Sequence, residues 1–168
     1  MDFMIRTAGE LDLDEIFALE RAVAQAPHWS REDYATLIGS DSAGAVHRCL
    51  LVAEAVGDEG VVRFVGFAVG KVIAIGGDSV GELESVVVAE DARRMGVGRA
   101  LSGAVLEWCR EQGIATVELE VRSRNGSARR LYASVGFIEE GLRKEYYRDP
   151  PDDAVLMRID LGLHRLGQ

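Results

Sequence analysis

The sequence predicts a mixed α+β domain on three observations: a strand-then-helix opening, a run of β-rich segments through the middle, and two amphipathic helices interleaved with strands after Val88. Phe3–Thr7 reads as a short strand, and Leu11, Ile16, Leu19 and Val23 then recur at helical spacing up to Pro27. Ser30, with Glu32 and Asp33 in the first turn, is a suitable N-cap for a second short helix that carries Tyr34 and Leu37-Ile38 and stops near Gly39. Arg48–Ala55 and Val61–Ile73 are rich in Val, Ile, Leu and Phe and are joined by the turn Gly57-Asp58-Glu59-Gly60. Glu82–Val88 follows Gly76-Gly77-Asp78, which makes the middle of the chain an antiparallel meander.

The period then changes. Val97, Leu101, Ala104, Val105 and Trp108 share one face of a helix that ends at Gly113. Thr116–Arg122 alternates, with Val117, Leu119 and Val121 on one face and Thr116, Glu118, Glu120 and Arg122 on the other, so the second face is not dry core. Asn125 is placed to cap a further helix with the inward stripe Ala128, Leu131, Tyr132 and Val135, closed by Gly136. Phe137-Ile138 resumes extended structure, and two strands, Leu142–Tyr147 and Ala154–Leu161, follow around the loop Asp149-Pro150-Pro151-Asp152.

A chain of 168 residues fits one domain, here 1–161 with a C-terminal tail 162–168, and its 48% hydrophobic content is enough for a core without disulfides or a structural metal. The net charge of -9 argues against a nucleic-acid-binding face; a basic partner suits it, as does no charged partner at all. Cys49 and Cys109 lack the paired spacing of a zinc or redox motif and read as reduced core thiols, while His28, His47 and His164 show no metal-ligand spacing, so no metal is implied. The N-terminus has no signal-peptide pattern and no apolar run nears the ~20 residues that span a bilayer, which leads to the expectation of a cytoplasmic protein without a membrane partner.

Gly96 and Gly98 stand where a strand and short loop give way to the helix starting near Val97, so backbone N–H groups there lack intrahelical acceptors and are free for an anion. Arg93, Arg94 and Arg99 add positive charge at that point. Two glycines alone also describe an ordinary turn with solvated arginines. The third glycine and downstream acid of a dinucleotide fold are missing, as is the Gly-Lys-Ser/Thr of a nucleotide-triphosphate loop.

Arg93-x-x-Gly96-x-Gly98 between a Val-rich strand and an amphipathic helix resembles the acetyl-CoA signature of the GNAT N-acetyltransferase superfamily. Leu119-Glu120-Val121-Arg122, Asn125, Leu131-Tyr132 and Gly136-Phe137 follow in that family's order. Arg143-x-x-Tyr146-Tyr147 with Asp153-Ala154 resembles the bacterial ribosomal-protein-alanine N-acetyltransferase branch. The resemblance implies a central mixed, mostly antiparallel twisted sheet with helices on both faces and a splay between the fourth and fifth strands, into which the pantetheine arm of acetyl-CoA inserts. Backbone groups of Val86, Val87 and Val88 would pair with that arm, and Arg93, Arg94, Met95, Gly96, Val97, Gly98 and Arg99 would bind the pyrophosphate. Asn125 would touch the arm, although it also suits a plain helix cap.

Acetyl transfer by direct attack needs a neutral amine, a proton acceptor, oxyanion stabilisation and a donor for the leaving thiolate. Glu120 matches the family's glutamate and is the candidate base; Glu118, on the same face, and Glu84 are rivals. The alternative for Glu120 is an exposed strand carboxylate paired with Arg122 or a cross-strand group. Tyr132 is the candidate donor to sulfur, against the alternative of a core tyrosine. The related branch carries an apolar or aromatic residue at Glu84 and Asn at Ser85, and has Pro and Trp adjacent where this chain has Pro27-His28-Trp29. A free α-amine of pKa ~8 is roughly a tenth neutral at pH 7, whereas lysine at ~10.4 is almost wholly charged, so weak base catalysis favours an α-amine. The expected acceptor is therefore a protein N-terminus, and the resemblance implies most specifically the N-terminal alanine of a ribosomal protein, with Trp29, Glu84, Tyr146 and Tyr147 as candidate substrate-binding residues. Polyamine or amino-sugar acetylation, and a catalytically silent acetyl-CoA-binding module, are the competing readings.

Overall fold

A computed structural model describes residues 2–24, 26–39, 44–75 and 78–162. The tail 163–168 with His164, and the turn residues Gly76-Gly77, lie outside the described residues. The strands are β1 (Asp2–Thr7), β2 (Val46–Val56), β3 (Val62–Ile75), β4 (Asp78–Val88), β5 (Thr116–Arg122), β6 (Ile138–Arg148) and β7 (Pro151–Asp160). They form one sheet in the order β1-β2-β3-β4-β5-β7-β6. Every neighbouring pair is antiparallel except β4 with β5, so the sheet is mixed and mostly antiparallel as expected. The helices are α1 (Leu13–Ala22), α2 (Arg31–Thr36), α3 (Val97–Glu111) and α4 (Gly126–Val135).

Two cores lie on opposite faces of the sheet. The α3 stripe of Val97, Leu101 and Val105 is fully buried against Leu51, Ala68, Leu83 and the inward residues Val117 and Leu119 of β5, and α4 joins this face through Ala128, Tyr132 and Val135. On the other face, Ile16 of α1 and Tyr34 of α2 pack with Leu50, Val52, Phe67 and Val69. Cys49 and Cys109 are buried and free, and burial pushes their thiols up to about 12 and about 11, which keeps them protonated and unreactive. Both oxygens of Glu20 and the Tyr34 hydroxyl are buried in the second core without hydrogen-bond partners among the described residues.

Several boundaries depart from the sequence expectation: β4 begins at Asp78 rather than Glu82, and β7 begins at Pro151, inside the expected loop, rather than at Ala154. α1 stops at Ala22 rather than near Pro27, with Val23 already extended, and Ala26, which precedes a proline and is steered away from helix, turns under the sheet into the second core. β6 begins at Ile138, four residues before its apolar pattern shows, because pairing with β7 recruits exposed residues that have no pattern of their own. Among the described residues no helix is long and apolar enough to cross a membrane.

Ser30 caps α2 reciprocally: its Oγ accepts from the Asp33 N–H at 3.1 Å, and its own N–H donates to Asp33 Oδ2 at 2.9 Å. Ser30→Ala is expected to cost about 1 kcal/mol in urea unfolding. An unchanged midpoint would show that α2 is held by Tyr34 packing alone.

β4 and β5 meet only at Gly81↔Val117 and Glu82↔Glu118; β5 then runs with β7 along its full length while β4 stays with β3. In the β3–β4 ladder Gly70 faces Leu83 and Val69 faces Ser85, so Glu84 is the extra residue of a bulge. The strand bends at the place where it leaves β5, and the sheet opens there.

Candidate active site

The opening is a cleft of about 270 Å³. Glu82, Glu84, Val86 and Val87 line it from β4, Glu120 and Arg122 from β5, Asn125 and Tyr132 around α4, and Tyr146 and Tyr147 from β6, while Val23, Ala26 and Pro27 close one side. Beyond Glu82 the β4 edge that would face β5 presents backbone groups with no strand partner. Such an edge can hydrogen-bond an extended, amide-containing ligand.

At the end of β4 the chain turns sharply into α3. Arg94 (φ 62°) and Gly96 (φ 85°) both adopt left-handed backbone, which is strained for the arginine and free for the glycine. Because Gly96 occupies the N-cap position, no side chain accepts from the first N–H groups of α3. Gly98 serves a different purpose: a Cβ there would sit 3.1 Å from Leu131 Cδ2, so glycine lets α4 approach the start of α3. Arg93, Arg94 and Arg99 are exposed and form no ion pair among the described residues. Val97 turns its side chain into the core and leaves only its backbone at this turn. The result is a positive, donor-rich corner at one end of the open β4 edge.

Asn125 caps its helix, its Oδ1 accepting from the Ala128 N–H at 3.1 Å, and the residue also lines the cleft. Tyr132 is half-buried, its ring edge-on to Phe137 at 6.0 Å, and burial pushes its phenol up to about 12. That phenol remains a proton-bearing hydrogen-bond donor across the neutral range.

Glu120 is paired neither with Arg122 nor with a β7 side chain. Its partner is Arg143 of β6, with Nη1 3.4 Å from Oε1. Arg122 is used elsewhere, donating to the carbonyls of Pro150 at 2.7 Å and Asp149 at 3.4 Å and stacking 4.2 Å from the Tyr147 ring centre. Glu84 is held by Arg48 at 3.1 Å and faces Lys71 at 3.8 Å, and Glu118 lies in an adjoining cavity rather than in the cleft. Hydrogen bonding to Glu120, then its charge, raises the Tyr146 phenol above its ordinary value.

Consecutive residues of a regular strand face opposite ways, yet Tyr146 and Tyr147 share the cleft. A register shift in β6 between Arg143 and Tyr147 makes this possible, with Glu145 at φ 54° and its N–H donating to Asp153 Oδ1 at 2.8 Å. Asp153, which the sequence set beside the tyrosine pair, thus anchors the bulge that aims them. Trp29 does not enter the cleft: it tilts against Tyr34 at 5.5 Å and borders a separate hollow with Asp33, Leu37 and Arg48. Stacking on the buried Tyr34 outcompetes a solvent-facing groove position. Sequence reasoning missed Glu82, which lines both the cleft and the adjoining cavity. The available signal was a second carboxylate two residues before Glu84, on the same side of a central strand.

Residues 12–137 match the model of the family described as "Acetyltransferase (GNAT) family". The [ribosomal protein bS18]-alanine N-acetyltransferase of Escherichia coli strain K12 is 37% identical over 83 residues, which is 48% of this chain and 56% of that protein, so the match spans little more than half of its length. The protein of the same description from Haemophilus ducreyi is 30% identical over 161 residues, covering 94% of this chain and 100% of the relative. Among solved structures, the ribosomal-protein-S18-alanine N-acetyltransferase from Escherichia coli superposes with a TM-score of 0.73 at 25% identity over 99% of both chains.

Proposed function

Since the chain belongs to the GNAT acetyltransferase family, we propose that it moves an acetyl group from acetyl-CoA to the N-terminal α-amine of a protein, of the ribosomal-protein-alanine type. The observation that carries this reading is the continuous path from the uncapped, arginine-flanked turn at Gly96, along the open edge of β4, to a cleft holding Tyr132 and carboxylates. The turn suits the pyrophosphate: its N–H groups and arginines supply donors and charge. The open backbone at Val86–Val88 suits the amides of the pantetheine arm and polarises the thioester carbonyl. Tyr132 donates a hydrogen bond to the departing sulfur, Asn125 steadies the arm, and the Glu120 side takes the amine. Acetyl-CoA supplies the activated acyl group, so the protein has only to align the two reactants and handle protons.

Tyr146 and Tyr147 form the acceptor wall, where an extended peptide lies between the aromatic pair and the segment at Ala26-Pro27. The names borne by the Escherichia coli and Haemophilus ducreyi relatives support an alanine α-amine as acceptor. The carboxylates Glu82, Glu84 and Glu120 around the cleft favour, as a second reading, a polycationic small amine.

The deciding experiment offers acetyl-CoA with peptides of different N-termini, polyamines and lysine peptides, reading thiol release beside the mass of each acceptor. Alanine-start peptides are expected to lead. Acetylation confined to polyamines would replace the peptide reading with the second one, and cofactor binding without turnover of any acceptor would leave a silent binding module.

A further inference from the structure

Resting on the acetyl-transfer reading, we infer that Arg122 is the positioning residue of the acceptor wall: its guanidinium fastens Tyr147 and the β6–β7 turn to the end of β5, and so sets how tightly a peptide acceptor is held.

The guanidinium has two tasks. Its edge donates to carbonyls of the β6–β7 turn, Nη1 to Pro150 at 2.7 Å and Nη2 to Asp149 at 3.4 Å. Its central carbon lies 4.2 Å from the centre of the Tyr147 ring. Both contacts are open to arginine because its N–H donors lie in one plane while the faces of that plane stay free for an aromatic ring. A carboxylate would compete for those donors, and Glu120 stands two residues away on the same strand face. Arg143 occupies Glu120 instead, and Arg122 forms no ion pair among the described residues. Arg122 is thus left to hold neutral groups.

The sheet order makes this contact the one that matters for Tyr147. β7 lies between β5 and β6, so no backbone ladder joins β5 to the aromatic pair. Backbone ties from the end of β5 stop at β7: the Ser123 N–H donates to the Asp153 carbonyl at 2.9 Å, and the Arg124 N–H to Asp152 Oδ2 at 3.1 Å. Side chains span the remaining gap. Tyr146 is reached through Glu120 and Arg143, and Tyr147 through Arg122. The Arg122 carbonyl also accepts from the Asn125 N–H at 2.9 Å. One residue therefore joins the cap of α4, on the cofactor side of the cleft, to the aromatic wall on the acceptor side. A wall fixed before the acceptor arrives spares binding the cost of ordering it.

The test measures kcat and KM for acetyl transfer to an alanine-start hexapeptide at saturating acetyl-CoA. Arg122→Met, which keeps the length of the side chain and removes its donors and charge, should raise KM about tenfold and leave kcat within about twofold. That split is the pattern of binding lost equally from ground and transition states. Arg122→Lys should recover only part of the loss, since one ammonium cannot serve the carbonyls and the ring together. The rise in KM should be smaller for alaninamide, which is too short to run along the wall. Tyr147→Ala should weaken the peptide to a similar degree, and the double variant should stay well below the product of the single effects, because the two residues act as one unit. Tyrosine ring ¹³C NMR supplies a readout independent of turnover: the Tyr147 signal, identified by its loss in Tyr147→Phe, should shift in Arg122→Met and in Arg122→Lys. An unchanged peptide KM in folded Arg122→Met, equal losses for peptide and alaninamide, or an unmoved Tyr147 signal overturns the assignment while leaving acetyl transfer intact. A protein that acetylates no peptide overturns the function reading and this inference with it.

Discussion

Tyr132→Phe lowers kcat by about 10- to 100-fold and leaves the affinity for acetyl-CoA nearly unchanged. The phenol, pushed up to about 12 by burial, lies roughly 3.5 pH units above an ordinary thiol at ~8.5, or about 5 kcal/mol uphill for outright proton donation. Its contribution is therefore a hydrogen bond to the charge that gathers on sulfur, with proton transfer completed only as another proton arrives from the amine. A hydrogen bond to a charged group is worth about 1.5–3 kcal/mol, which sets the size of the loss. Because that charge develops in the transition state, kcat and kcat/KM should fall together. The raised phenol stays protonated well above neutrality, so rising pH should not switch Tyr132 off anywhere below pH 9. Steady-state rates, calorimetric acetyl-CoA binding and a comparison with a thioester of more acidic thiol test this. The deficit should shrink with the better leaving group, and an effect on KM alone would remove Tyr132 from the chemistry.

The parts of the site visible in the sequence are those that local chemistry determines. The strict alternation of Thr116–Arg122 put Glu120 on the open face, and Asn125 and Gly136 marked the ends of α4, because capping and left-handed backbone depend on a few neighbouring residues. What was hidden depends on partners distant in the chain. The bulge at Glu84 exists only through its register against Val69 and Gly70. Glu120 found Arg143 rather than its neighbour Arg122 because the β5-β7-β6 order brings β6 within reach. Trp29 looked like a groove residue until Tyr34, buried beneath it, offered a better contact. Glu82 was overlooked because its character comes from burial and, besides its neighbour Glu84, from charges on three other strands.

The dependence of the cleft on packing behind it leads to the second large effect: Leu101→Ala should cost about 2–5 kcal/mol of stability, the range for a fully buried leucine. Leu101 lies against the backbone of β3 at Gly66, where a Cβ would be 3.3 Å from its Cδ1 and 2.7 Å from the Val87 carbonyl oxygen. Gly66 pairs with Val88, so α3, β3 and the proposed pantetheine edge touch at one place. A void at Leu101 removes the support behind that edge, and cavities relax only partly. Leu142→Ala on the exposed face of β6 is the control, expected to stay within about 0.5 kcal/mol. Urea unfolding measures both, and a loss below about 1 kcal/mol for Leu101→Ala would contradict the packing described. Acetyl-CoA adds a second reading: at 100 times its Kd a ligand that binds only the native state stabilises by about 2.7 kcal/mol. If the void loosens Val86–Val88, the variant should gain less than wild type from the same ligand concentration. An equal gain would mean that the edge is held by its own ladder with β3, independently of the helix behind it.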